Sequence, residues 1–115
     1  MPFIEVTYDA TLAESGLQTL AHVLPDIVAD AIACPEEPWV GPPQPGDIEI
    51  RFRSKGQFDV GELNCVIEVR TKLFGSRVAD KHERAEKIRS AVIAVEPSVG
   101  QLGVWLILHE GSWAQ

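Results

Sequence analysis

The sequence predicts an α/β (α+β) fold of two consecutive β-α-β units, which form a four-stranded mixed sheet with two helices on one face. Two observations carry the prediction. Apolar and polar residues alternate with a period of two in three short segments, and apolar residues recur every three or four positions in two longer ones. The order is strand–helix–strand, followed by strand–helix–strand. Two parallel strands joined through a helix have a right-handed crossover.

The first unit begins with residues 2–8, which alternate as a β-strand rich in aromatic and β-branched side chains. An amphipathic helix follows, with one apolar stripe over residues 17–32. Pro25 lies inside this stripe and should kink the helix or mark a restart. Residues 35–46 contain five prolines and two glycines, which indicates a stiff, irregular connection. Residues 47–54 alternate again and complete the unit.

The second unit begins with a strand over about residues 63–73, in which apolar and charged residues alternate. A turn leads into a helix over residues 78–95, with Ser76 as its N-cap. Residues 101–110 are nearly all apolar in the middle, which is typical of a strand buried on both faces.

Length and composition narrow the possible functions. At 115 residues the chain is expected to be one domain, with halves at about 2–54 and 62–110. A net charge of −7 argues against general nucleic-acid binding. No apolar run approaches the ~18 residues of a membrane span, and no signal peptide is recognised. The two cysteines lack metal-binding spacing, so we expect a cytoplasmic protein without a metal or cofactor.

The predicted sheet leaves one face without helices, and that face must be either hydrated or buried in an oligomer. The polar side chains assigned to it suit both arrangements: Glu49, Arg51, Arg53, Glu68, Arg70 and Lys72. Trp39, Trp113 and the apolar last strand favour a homo-oligomer.

Pro2 is the first candidate for chemistry. Removal of Met1 would leave Pro2 with a free secondary amine at the end of a strand. An α-amine titrates near about 8, and apolar surroundings lower that value because they disfavour the charged form. Such an amine can act as a general base near neutral pH. Alternatively, Pro2 simply begins an edge strand, and in a chain that retains Met1 its nitrogen is an unreactive amide.

Three arginines are candidates for binding an anionic substrate. Arg77 lies at the turn into the second helix, where a guanidinium and free backbone N–H groups together suit a carboxylate. Its alternative role is that of a solvated surface residue. Arg51 and Arg53 lie on the second strand, and their alternative is pairing with Glu49 or Glu68.

The MPFIEV start, the two β-α-β units and the GSRVADK turn at residues 75–81 resemble the tautomerase superfamily. The resemblance is greatest to 5-carboxymethyl-2-hydroxymuconate isomerase and its relatives, and it covers most of the chain except residues 35–46. It implies a trimer with active sites near subunit boundaries. In that family the N-terminal proline is the catalytic base and arginines hold the substrate carboxylate.

Carried over by position, the resemblance gives Pro2 the role of base. Arg77 matches an arginine that related dehalogenases and decarboxylases place at the start of the second helix, and Arg51 and Arg53 match a strand on which the isomerases carry substrate arginines. Phe74 stands where hydrolytic dehalogenases often carry a second arginine, which weakens a dehalogenase assignment. We expect Phe74 to form part of an apolar wall that keeps the proline amine neutral.

The expected function is that of a keto–enol tautomerase or isomerase acting on a small anionic substrate, a 2-oxo or 2-hydroxydienoate. One alternative is a decarboxylase, hydratase or dehalogenase of a small unsaturated or 3-oxo acid, with Pro2 as an acid. Another is a non-catalytic oligomer that retains Met1. Trp39, Trp113 or Phe74 should supply the apolar pocket in the catalytic cases.

Overall fold

Four strands and three α-helices follow one another in the computed structural model, which describes residues 2–115. The strands are β1 (Phe3–Tyr8), β2 (Glu49–Ser54), β3 (Cys65–Lys72) and β4 (Leu102–His109). The helices are α1 (Glu14–Ile32), α2 (Gly75–Ala79) and α3 (Lys81–Val95), and a 3₁₀ turn spans Pro97–Val99.

The strands form one mixed sheet in the order β2-β1-β3-β4. β1 is parallel to β2, β3 is parallel to β4, and β1 is antiparallel to β3. This confirms the predicted mixed sheet built from two β-α-β units. Phe3 lies opposite Glu49 on one side and Arg70 on the other. The N-terminus of β1 therefore adjoins the start of β2 and the end of β3.

The core lies between one sheet face and the helices. Its fully buried members on β1 and β3 alternate along each strand: Ile4, Val6, Ile67 and Val69. They pack with buried residues of α1 and α3 at helical spacing: Leu20, Leu24, Val28, Ile88 and Val92. Burying each such side chain stabilises the fold by about 1.5–3 kcal/mol. The apolar residues that alternate along the strands and those that recur along the helices therefore pack together in one apolar layer.

The helices differ from the predictions in three details. α1 continues through Pro25 as one element, so there is no restart. The second predicted helix begins earlier, at Gly75, and is interrupted at Asp80. Ser76 is not the N-cap, because it lies inside α2 and its hydroxyl donates to Glu36 Oε1 at 2.6 Å. None of the helices within residues 2–115 has the length and apolarity to cross a bilayer.

β4 is an edge strand, and the prediction that it is buried on both faces is wrong for this chain. Trp105, in the middle of β4, is 65% exposed. The reason is that α1 and α3 pack on the opposite side of the sheet. We call the uncovered side the open face. It carries the odd-numbered residues of β1, β2 and β4 and the even-numbered residues of β3.

Candidate functional site

A cavity of about 340 Å³ lies at the N-terminal end of β1, and we call it the Pro2 cavity. Its walls include Pro2, Glu37, Trp39, Asp47, Trp113 and Gln115. These residues come from four separate parts of the chain: the start of β1, the proline-rich connection, the residues before β2, and the C-terminal tail. A cavity of this size accommodates a small organic molecule.

Pro2 is buried and held by backbone pairing at the edge of the cavity. The Glu49 N–H donates to the Pro2 carbonyl at 3.2 Å, which joins the start of β1 to the start of β2. By the alternation along β1, the proline ring points to the same side of the sheet as buried Ile4. Pro2 therefore directly precedes β1 and lines the cavity.

Two tryptophans form the apolar part of the cavity wall. Trp39 is partly buried and packs against the core, although it lies in an irregular connection. Trp113 approaches from the tail and closes another side. Apolar surface beside an amine disfavours its charged form. Phe74, the third aromatic predicted for this pocket, does not line the cavity. Its ring lies 5.4 Å from Lys72 Nζ and 5.3 Å from Arg77 Cζ instead.

Two carboxylates in the cavity wall were not predicted. Glu37 lies in a turn closed by the bond from its N–H to the Cys34 carbonyl, 3.2 Å. Asp47 Oδ2 accepts from the Gln44 N–H at 2.7 Å. Negative charge near an amine favours its protonated form. The carboxylates and the aromatic walls therefore act on the Pro2 nitrogen in opposite directions.

Arg77 is completely buried, with 0% exposure, so it is not the solvated surface residue considered as an alternative. Its Nε donates to the Ile32 carbonyl at 2.7 Å, and an Nη donates to the Lys72 carbonyl at 2.9 Å. The other Nη lies 3.4 Å from Glu37 Oε1. The guanidinium thus joins the ends of α1 and β3 to the connection that carries Glu37. Direct contact with a substrate would require a movement that uncovers this buried side chain.

Arg51 and Arg53 lie on the open face, away from the Pro2 cavity. Arg51 Nε is 3.8 Å from Glu49 Oε1, the pairing considered as its alternative, and its guanidinium lies 5.2 Å from the Phe3 ring centre. Arg53 is exposed and lies opposite Thr7. Thr7 is five residues along β1 from Pro2, roughly 16 Å at the usual strand rise. One protomer therefore does not bring these arginines to the cavity.

A second cavity, of about 270 Å³, lies near the Pro2 cavity and shares Trp113 with it. Its wall includes the ring of Phe3 and three basic side chains: Arg70, Lys72 and His109. Arg70 is partly neutralised by Glu68 at 3.5 Å. These cations suit a small anion. The antiparallel register of β1 and β3 places Arg70 there, but that register could not be predicted from periodicity alone.

The described part of the chain was also searched for groups of side chains that could bind a metal ion. Among residues 2–115, no group of three or more His, Cys, Asp or Glu side chains is arranged to hold an ion.

No protein-family model and no curated protein sequence matches this chain. Solved structures do. Malonate semialdehyde decarboxylase superposes with a TM-score of 0.65 at 10% identity, over 98% of this chain and 91% of that one. A 5-carboxymethyl-2-hydroxymuconate isomerase from Deinococcus radiodurans superposes with a TM-score of 0.55 at 18% sequence identity, over 99% of this chain and 88% of that one. A fused 4-OT symmetric trimer superposes with a TM-score of 0.61 at 16% sequence identity, over 93% of this chain and 85% of that one.

The chain therefore has the fold of the tautomerase superfamily, as the sequence resemblance predicted. At these identities the similarity concerns the fold, and the reaction has to be argued from the site.

Proposed function

We propose that this protein is an enzyme, a keto–enol tautomerase or isomerase of a small 2-oxo or 2-hydroxydienoate, with Pro2 as the general base. Removal of Met1 would expose the amine. The observation that carries the proposal is the burial of Pro2 at the wall of a 340 Å³ cavity that two tryptophans also line. The apolar surface of the tryptophans lowers the pKa of a neighbouring amine toward neutrality, where general-base catalysis is most effective.

In this reaction the neutral amine removes the proton from the 2-hydroxyl group of the dienol. The 2-oxo group forms as the electron pair moves along the conjugated system, and the amine returns the proton to a carbon atom of that system. The substrate and product differ only in the position of one hydrogen and the double bonds, so no cofactor is needed. The rigid attachment of Pro2 to β2 would fix the nitrogen relative to the bound substrate.

The substrate carboxylate needs cations near the cavity. Arg70 and Lys72 line the neighbouring cavity, which shares Trp113 with the Pro2 cavity. The proposed roles of Arg51 and Arg53 as anchors require that a neighbouring subunit present its open face to the cavity. The proposed role of Arg77 requires release of its bonds to Ile32 and Lys72.

We propose that the open face is buried in a homotrimer in the cytoplasm. Trp105 is exposed on this face, and burial of its indole would contribute favourably to association. The fused 4-OT structure, which is a symmetric trimer, supports this arrangement. Light scattering after size-exclusion chromatography should give three times the mass of the chain. Trp105→Glu should dissociate the trimer into monomers. A monomeric mass for the native protein would contradict the proposal.

The reaction is tested on untagged protein whose intact mass lacks one methionine. Loss of the dienol absorbance is followed with a 2-hydroxydienoate substrate. Pro2→Ala should lower kcat about 10²- to 10⁴-fold, the range for loss of a general base. An undiminished rate in Pro2→Ala excludes the proposed mechanism.

A second reaction class is favoured by a specific observation, the presence of Glu37 and Asp47 in the cavity. If their charge keeps the amine protonated, Pro2 acts as an acid in decarboxylation, hydration or dehalogenation of a small acid. The pH profile separates the two classes. The activity of a base rises with pH through the pKa of the amine, and that of an acid falls. A non-catalytic oligomer that retains Met1 would show neither turnover nor reaction of its N-terminus with electrophiles.

A further inference from the structure

The hydroxyl of Thr71 is a buried polar group without a hydrogen-bond partner. Thr71 is 1% exposed, and among the described residues its Oγ1 is the buried side-chain atom left unsatisfied. An unsatisfied buried hydroxyl destabilises a fold, and valine would fill nearly the same volume without that penalty. Thr71 therefore calls for a partner that this form of the chain does not provide.

The strand register places Thr71 beside Pro2. Phe3 pairs with Arg70 in the antiparallel ladder of β1 and β3, so the next pair is Pro2 with Thr71. The Pro2 carbonyl accepts from Glu49 and thus points toward β2. If the register is continued by one residue beyond the printed ladder of β1 and β3, Pro2 and Thr71 form a non-hydrogen-bonded pair, a type in which the Cα atoms are about 4.5 Å apart and the side chains are closest. Both side chains point to the helix-covered face.

The hydrogen-bonding capacity of the Pro2 nitrogen depends on whether Met1 is attached. While Met1 is attached, the nitrogen belongs to a tertiary amide and has no hydrogen to donate. After its removal the nitrogen is a secondary amine. The charged amine donates two hydrogen bonds, and the neutral amine donates one and accepts one. A hydroxyl can accept from the first and donate to the second.

We propose that Thr71 is the hydrogen-bond partner of the free Pro2 amine and positions it for proton transfer. The inference rests on the proposed function only in assuming that Met1 is removed. Thr71 is a positioning residue, because it would act through Pro2 and not on the substrate.

The direction of its effect follows from hydrogen-bond strength. A bond from a charged donor is roughly twice as strong as a neutral one, so the hydroxyl favours the protonated amine. The other charged groups facing the amine are Glu37, which is paired with Arg77, and Asp47. Because the hydroxyl is uncharged, its replacement leaves these charges in place. We expect Thr71→Val to lower the apparent pKa of the amine by about 0.5–1, and Thr71→Ser to restore it.

The test measures the amine directly and does not depend on turnover. Untagged protein is alkylated with a small α-halo acid over a pH series, and cleavage after Glu5 releases the peptide of residues 2–5. Its terminal amine is its only nucleophile, since Phe3, Ile4 and Glu5 do not alkylate readily. Mass spectrometry of this peptide gives the pH dependence of the reaction for the native chain, Thr71→Val and Thr71→Ser.

A lower pKa in Thr71→Val, with restoration in Thr71→Ser, supports the inference. An unchanged pKa in Thr71→Val overturns it, even if Pro2→Ala abolishes turnover. If the pKa falls but no dienoate reacts, the Thr71 contact stands and the proposed reaction fails. Unfolding gives a second readout. Thr71→Val should destabilise the free-amine chain but not a chain extended by a tag before Met1, and equal effects in both chains contradict the inference.

Discussion

Replacement of Arg77 by methionine should destabilise the fold strongly, because the guanidinium is structural. Its removal leaves the buried carbonyl of Ile32 and the part-buried carbonyl of Lys72 without their donors. Each unsatisfied carbonyl costs about 1–3 kcal/mol. The contact with Glu37 adds little, because that side chain is 43% exposed and water screens it. We therefore expect a loss of about 3–5 kcal/mol in the free energy of unfolding.

For a chain of this length, 1 kcal/mol corresponds to about 4 °C in Tm, so the expected decrease is about 12–20 °C. Urea unfolding and calorimetry measure it. Lys81→Met is the matched control, because Lys81 is an exposed cation on α3, and its replacement should change stability by at most about 0.5 kcal/mol. If Arg77→Met retains native stability but loses affinity for carboxylate substrates, the structural role is wrong and Arg77 is a substrate anchor.

Three further changes test other parts of the fold. Gly100→Ala should cost about 1–3 kcal/mol in urea unfolding, because Gly100 has φ +65° and an added Cβ would clash with the Asn64 side chain; native stability in this variant would contradict the turn geometry. The hydrogen bond from Ser76 lowers the pKa of Glu36. The stability this provides is present above the ordinary glutamate pKa of about 4.3 and is lost as the pH falls through the lowered value, so Glu36→Gln should show a shallower acid-induced loss of Tm than the native chain. Burial raises the pKa of Cys65 to about 11, so this thiol should resist a disulfide reagent at pH 8 until urea unfolds the chain, and rapid labelling of the native protein would refute its burial.

The fold could be predicted from the sequence because its main elements have local signals. The alternation in β1 and β3 and the apolar stripe of α1 each define which side is buried, and the structure places those sides in one core. The start of the second helix could not be predicted in the same way. It depends on the contact of Ser76 with Glu36, forty residues away, which no local pattern contains. The exposure of β4 depends on which sheet face the helices cover.

The candidate site was only partly accessible to sequence reasoning. Pro2 stands out by its position, and Trp39 and Trp113 stand out because large aromatics are unfavourable in water. Glu37 gave no signal, since its place in the cavity depends on a turn and on buried Arg77. Asp47 could have been found, because it is the first residue of the segment predicted to form a strand parallel to β1.

Whether Pro2 acts as a base or as an acid depends on how the two carboxylates and the apolar walls of the cavity together affect the pKa of its amine. Glu37 lies 3.4 Å from the buried guanidinium of Arg77 and its side chain is 43% exposed, so its negative charge is weakened partly by Arg77 and partly by water. Asp47 is exposed, and water and salt screen its effect. The apolar surface of partly buried Trp39 disfavours the charged amine, and Trp113, which is 59% exposed, adds less to this desolvation. We propose that the net effect favours the neutral amine, and for this reason we prefer tautomerisation with Pro2 as base over the acid-catalysed alternatives.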